Sequence, residues 1–327
     1  MKRREFIALL GVFASIWPVG ARAQHIAQKR VAVLFGGGEN DPEFAARLAT
    51  LKHELQQRGW NEGVNLQFDV RFRTDAQMAQ VLVSEVVALA PDVIVANTGN
   101  PEIAALQRAT RTIPIVFANV TDPVGAGFVS SLARPGGNTT GFTPFEYGIS
   151  VKWLELLKEV APQVQRVGVL RDPSNPTGIG MLAAMQGVAP SLGIELTPLG
   201  ISQANDVEDV IAGFAREKAG GLVVTLNGMT IAHRKLISAA ALKHQLAAVY
   251  PMRYFAADGG LLSYGPNSLE PFQGVAMYVD RILKGENPAD LPVQAPNKFE
   301  TVVNLKVAKA LGLTIPHSIL ATADVIE

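Results

Sequence analysis

The feature that most constrains this chain is that it reads twice. Arg30-Val31-Ala32-Val33-Leu34 is echoed by Arg166-Val167-Gly168-Val169-Leu170, 136 residues later. Gly59, which ends a helix-period segment, is echoed by Gly193 at an offset of 134. Pro91–Val95 is echoed by Gly220–Val224 and Ile113–Phe117 by Leu246–Tyr250, at offsets of 129 and 133. Four elements repeated in the same order at nearly one offset predict two similar lobes, each of ordinary domain size.

The pattern inside each lobe sets the fold class. Val31–Phe35 is a continuous apolar run ending in Gly36-Gly37-Gly38, as expected of a strand buried on both faces. Phe44, Leu48, Leu51 and Leu55 then recur at helical spacing until Gly59. Leu66–Phe72 reads as a strand, and Met78, Val81, Leu82, Val86 and Leu89 mark the next helix. Strands alternating with helices predict a parallel sheet covered on both faces. The expected fold is therefore α/β, with two Rossmann-like lobes of parallel strands joined by several crossings. Gly136–Phe142 and Gly259–Pro266, rich in turn formers, are the expected crossings. They divide the chain into residues 30–143 with 266–288 and residues 144–265 with 289–327.

The first residues read as an address. Lys2-Arg3-Arg4 precedes an apolar run of 14 residues, Phe6–Val19, and Ala21-Arg22-Ala23 is a small-x-small cleavage signal. That is the layout of a secretory signal peptide over residues 1–23, and the run is shorter than the about 20 residues a membrane span needs. Arg3-Arg4-Glu5-Phe6-Ile7 also resembles a twin-arginine export motif. The mature chain is expected to begin near Gln24 and to work in the periplasm. Charge supports neither nucleic acid nor an acidic partner: 29 basic residues balance 29 acidic ones.

Two lobes with a gap direct attention to the residues just beyond each strand, because open parallel sheets bind ligands past the carboxyl ends of their strands. These stretches are polar. In the first repeat they are Glu39-Asn40-Asp41, Asn97-Thr98-Gly99-Asn100 and Asn119-Val120-Thr121-Asp122. In the second they are Arg171–Thr177, Thr225–Thr230 and Pro251–Tyr254, with Tyr147, Tyr250 and Tyr264 near them. Asn100 before Pro101 reads as a helix cap with Pro in the first turn, and that helix end predicts a seat for a carboxylate.

Catalysis finds little support. The absence of cysteine removes thiol nucleophiles and thiolate metal sites, and the five histidines form no i, i+4 pair. There is no Gly-x-Ser-x-Gly elbow and no Gly-x4-Gly-Lys-Ser/Thr phosphate loop, and Gly36-Gly37-Gly38 lacks dinucleotide spacing. An acid–base pair of Asp122 and Asp172 competes with the commoner reading of Asp-Pro as turn or cap chemistry. No cofactor is expected.

Arg111–Phe117, Val120–Gly125 and Leu132–Gly141 resemble the ABC-transporter substrate-binding proteins described as tryptophan/tyrosine-binding components. Lys152–Lys158, Gly260–Gly265 and Asp290–Glu300 are similar to the same family. The resemblance implies a type I periplasmic-binding-protein fold and no enzymatic activity. It implies a monomer that brings a small ligand, an aromatic amino acid or related carboxylate, to a permease and ATPase on separate chains. It also implies ligand contacts at Asn40, Thr98, Asn100, Asn119, Thr121, Asp122, Asn175, Asn227, Tyr250 and Tyr264. A periplasmic sensor presenting its closed form to a membrane receptor is the alternative that the same residues allow.

Overall fold

A computed structural model of the protein describes residues 28–73, 79–173 and 175–327. The export signal with its cleavage site near Ala23, the helix position Met78 and the loop residue Ser174 lie outside the described residues.

The first lobe is built from β1 (Lys29–Phe35), α1 (Pro42–Gln57), β2 (Leu66–Phe72), α2 (Ala79–Ala88) and β3 (Val93–Asn97). It continues through α3 (Asn100–Ala109), β4 (Ile115–Phe117) and β5 (Thr139–Gly141). The sheet order is β2-β1-β3-β4-β5, parallel throughout. Uninterrupted apolar runs are what such strands require, and Val31–Phe35 and Val93–Ala96 are all buried. One face of the sheet packs on Phe44, Leu51 and Leu55 of α1, the other on α2 and α3 through Val83, Val86, Ile103 and Leu106.

The second lobe begins with α4 (Ile149–Val160), β6 (Arg166–Arg171), α5 (Pro176–Val188), β7 (Glu195–Gly200) and α6 (Asp206–Ala215). It continues with β8 (Gly220–Val224), α7 (Gly228–Ala232), α8 (Arg234–Lys243), β9 (Ala247–Tyr250), α9 (Arg253–Ala257) and β10 (Leu262–Gly265). The chain then returns to the first lobe. There α10 (Glu270–Leu283) joins α1 on the first sheet with Phe272, Val275 and Val279. It finally re-enters the second lobe with β11 (Glu300–Asn304), α11 (Leu305–Ala310), α12 (His317–Leu320) and β12 (Ala323–Ile326). The second sheet runs β12-β11-β10-β9-β8-β6-β7.

Both lobes are thus α/β with mainly parallel sheets, but the sequence pattern is refined in three places. β11 is antiparallel to β10, with Gly265 opposite Glu300. β10 ends at the hinge and the chain comes back at the hinge, so the returning strand runs the other way. The stretches expected as crossings also supply strands: Thr139–Gly141 is the edge of the first sheet and Leu262–Gly265 an inner strand of the second. The passages between lobes come after them, and two run side by side where the Thr143 N–H donates to the Gln294 carbonyl at 2.8 Å. Leu291 and Val293 are still packed in first-lobe clusters before the last passage.

Candidate functional site

The carboxyl ends of the two sheets face each other, and the lobes touch. A Cβ built on Gly228, at the start of α7, would stand 3.6 Å from Arg73 and 3.8 Å from the Gly36 carbonyl across the gap. Asp41 of the first lobe receives Nη1 and Nη2 of Arg234 from the second at 2.7 and 3.2 Å. The same carboxylate caps α1 by accepting the Glu43 N–H at 3.0 Å. Arg234 also donates through Nε to Asp258 at 2.6 Å. Burial pulls the Arg234 guanidinium down, and the two carboxylates more than reverse this, so it stays charged.

Between the closed lobes lies a small cavity of about 20 Å³ lined by Arg47, Asn97, Asn119, Leu226, Met252, Tyr254 and Ser268 among others, so a solute enters only when the lobes part. Its floor is a polar network around Arg47, which is 4% exposed. Arg47 Nη1 donates to Asn97 Oδ1 at 3.1 Å, and Glu43 Oε2 stands 3.8 Å from Nη2. Glu43 in turn accepts the Ser268 hydroxyl at 3.0 Å. The guanidinium lies 5.4 Å from the Phe44 ring centre and 5.7 Å from that of Tyr254, which offsets part of the cost of burying its charge. Burial pushes the Tyr254 phenol up against the opposing pull of Arg47, so it is neutral and a donor. A larger hollow of about 200 Å³ opens where β8 and β9 begin, beside Gly220 and Ala247. It lies at the amino ends of the strands, the wrong end for this architecture.

The residues expected from sequence are partly brought together. Asn119 lines the cavity. Thr98 is buried in the loop after β3 with its hydroxyl unpaired, and Thr121 is buried in the loop after β4. Asp122 adopts a left-handed backbone, φ 51°, and its carboxylate receives the Gly125 N–H at 2.8 Å. Its charge, after burial, helps hold the Tyr147 phenol above its ordinary value. Asn175 and Asn227 spend their side-chain oxygens capping α5 and α7, through the N–H groups of Thr177 and Thr230. Asn40 is exposed. Tyr250 is 1% exposed and stacked on Phe255 in the second-lobe core, and Tyr264 stacks on Phe299.

The carboxylate seat expected at the start of α3 needs correction. Gly99, and not Asn100, occupies the cap position and makes no side-chain cap bond. The chain's own Glu102 stands there, 2% exposed, with Arg73 Nε 2.7 Å from its Oε1. Its Oε2 is buried and unpaired, 3.5 Å from where a Gly99 Cβ would be. A second carboxylate brought to this helix end would meet a like charge with little water to screen it. Sequence reasoning also missed Arg47, although its position between Phe44 and Leu51 on the apolar face of α1 was the available signal.

Among the described residues no group of three or more His, Asp or Glu side chains could hold a metal ion, and no helix is long and apolar enough to cross a membrane.

The family model for ABC transporter substrate binding proteins matches residues 40–326. The tyrosine-binding protein of Clostridioides difficile (strain R20291) is 26% identical over 261 residues, covering 79% of this chain and 74% of that one. A conserved domain protein from Vibrio cholerae, solved by crystallography, is 29% identical with a TM-score of 0.85, covering 92% of this chain and 100% of that one. An ABC domain from Streptococcus pneumonia, solved in complex with L-Trp, is 23% identical with a TM-score of 0.84 at the same coverage.

Proposed function

The chain belongs to the family of ABC transporter substrate binding proteins, which bind solutes and are not enzymes, and we propose that it captures an aromatic amino acid or related carboxylate outside the cytoplasmic membrane for import. In this reading residues 1–23 are removed, and the mature protein closes its lobes over the solute and docks as a monomer on a permease served by a separate ATPase. The observation that carries it is the inter-lobe cavity with buried polar side chains, Arg47, Asn97 and Tyr254, at its walls. Buried polar groups that point into a hollow and lack full sets of partners are costly unless a ligand completes them. The names of the relatives, one binding tyrosine and one solved with L-Trp, support the aromatic amino acid. Of the sequence-derived contacts, Asn119 lines the cavity, and Thr98 and Thr121 are buried in the loops that follow β3 and β4.

The magnitudes suffice. Micromolar affinity requires about −8 kcal/mol, and an aromatic side chain leaving water supplies roughly 1.5–3 kcal/mol. A few charge-assisted hydrogen bonds add roughly 1.5–3 kcal/mol each. The experiment is a thermal-shift screen of the mature protein against amino acids and aromatic acids, with X-ray scattering of each hit. A ligand at about 100 times its Kd adds about 2.7 kcal/mol to stability and should raise Tm. It should also lower the radius of gyration as the lobes close. A panel that does neither defeats the proposal.

A further inference from the structure

We propose that Arg47 and Tyr254 together hold the ligand's carboxylate, one donor from each lobe, so that the anion itself ties the lobes shut. The inference rests on the reading of the inter-lobe cavity as the solute site and assigns the group that each wall recognises.

Two buried donors at this cavity lack an acceptor: Arg47 Nε and the Tyr254 hydroxyl, whose oxygen the Arg47 guanidinium approaches. Arg47 belongs to α1 of the first lobe and Tyr254 to α9 of the second, and their side chains meet, with the guanidinium 5.7 Å from the phenol ring centre. Both residues are more than nine-tenths buried. The nearby carboxylate, Glu43, leaves Arg47 incompletely paired, at 3.8 Å from Nη2 and already accepting from Ser268. An N–H and an O–H that converge on one hollow ask for an acceptor with two oxygens, and a charged acceptor makes the stronger bonds. The alternative anion seat is closed, because the start of α3 carries Glu102 with an unpaired oxygen of its own. A neutral solute could accept from both donors with carbonyl or hydroxyl oxygens, but its bonds to the guanidinium would be weaker than those of a carboxylate.

The test compares L-tyrosine and L-tryptophan with their carboxamides by titration calorimetry, on the wild-type protein and on Arg47→Gln, Arg47→Lys and Tyr254→Phe. The acids should bind the wild type about 10- to 100-fold more tightly than the amides. Arg47→Gln should bring that ratio to within about threefold of one, Tyr254→Phe should reduce it in part, and Arg47→Lys should keep a part of it. Should Arg47→Gln not fold, Tyr254→Phe decides alone, since it removes only a hydroxyl that has no acceptor in the unliganded protein and keeps the ring. Equal binding of acid and amide to the wild type, or an undiminished ratio in folded Arg47→Gln or in Tyr254→Phe, overturns the proposal. If neither amino acid binds the wild type, the aromatic-ligand reading fails separately. Small molecules retained from a cell extract by immobilised wild-type and Arg47→Gln protein, identified by mass spectrometry, then decide. Carboxylates kept by the wild type and lost by the variant support the assignment; neutral or cationic molecules kept equally by both, or nothing kept at all, overturn it.

Discussion

Replacing Asp41 by Asn isolates the contribution of the inter-lobe ion pair to closure. The side-chain oxygen that accepts from the Glu43 N–H can be kept, so the α1 cap survives, since Asn caps as well as Asp. What changes is the partner of Arg234: an NH2 group stands where an oxygen received Nη1 at 2.7 Å. Opening the lobes leaves Arg234 with Asp258 and Asp41 with water, so only the bonds across the gap belong to closure. The two side chains are 7% and 13% exposed, so salt screens the pair weakly. Desolvation of both groups offsets much of the attraction. A net of about 1.5–3 kcal/mol is therefore the reasonable figure for a charge-assisted pair. That corresponds to a closure equilibrium weakened roughly 10- to 150-fold. Stopped-flow dissociation of a bound solute should be faster by about that factor, with association changed by less than about threefold. Tm of the unliganded protein should move by only a few degrees, as the cap is intact. An Asp41→Asn protein whose off-rate and affinity stay within about twofold of wild type would refute this account and show that the pair adds nothing to closure.

Three other outcomes are expected. The phenols of Tyr147, Tyr250, Tyr254 and Tyr278 are all held above their ordinary value, chiefly by burial. A folded-state value above the unfolded one means that stability is full below about pH 10 and is lost as pH rises further. Tyrosinate absorbance should accordingly lag and then rise together with loss of far-ultraviolet dichroism; smooth ionisation of every tyrosine in the folded protein would contradict this. Removing one partner of the buried Arg73–Glu102 pair by Arg73→Met should cost about 3–5 kcal/mol in urea unfolding, whereas adding Glu102→Leu should recover most of it; equal losses in both variants refute the pairing. Gly265→Ala places a Cβ 1.8 Å from the Pro251 carbonyl at the hinge and should lower stability by at least about 2 kcal/mol, so an unchanged denaturation midpoint speaks against the close approach.

The duplicated lobes were legible because parallel strands covered on both faces must be continuous apolar runs, and Val31–Phe35, Val93–Val95, Val167–Leu170 and Leu222–Val224 are such runs. Thr139–Gly141 was hidden because a three-residue edge strand of Thr and Gly carries no apolar signal and looks like a turn. The tail was harder still. α12 and β12 span four residues each, too short for any periodicity, and the reversed direction of β11 depends on where the chain re-enters the hinge. At the site, polar loops beyond the strands were readable as a set, but not which side chains turn inward. Tyr250 shows why: it is the last residue of β9, and alternation along a strand sends it to the core, where it stacks on Phe255. Arg47 was hidden because an arginine on an apolar helix face usually carries its charge out to water, and here α9 covers that exit with Tyr254.

The placement of charge assigns closing and recognition to different arginines. Asp41, Glu43 and Glu102 all stand at the starts of α1 and α3, where helix dipoles favour acidic groups. Each is met by an arginine: Arg234, Arg47 and Arg73. Arg234 spends its fork on Asp41, Asp258 and the Ile231 carbonyl, while Arg47 keeps a buried N–H without a partner. An arginine with its donors spent can change how long the cleft stays shut but not which group it prefers. Asp41→Asn should therefore shorten the residence of acid and carboxamide ligands by the same factor, leaving their affinity ratio unchanged, whereas Arg47→Gln should change the ratio itself. If Asp41→Asn alters the ratio as much as Arg47→Gln does, the two tasks are not separate and the anion is sensed by the inter-lobe pair as well.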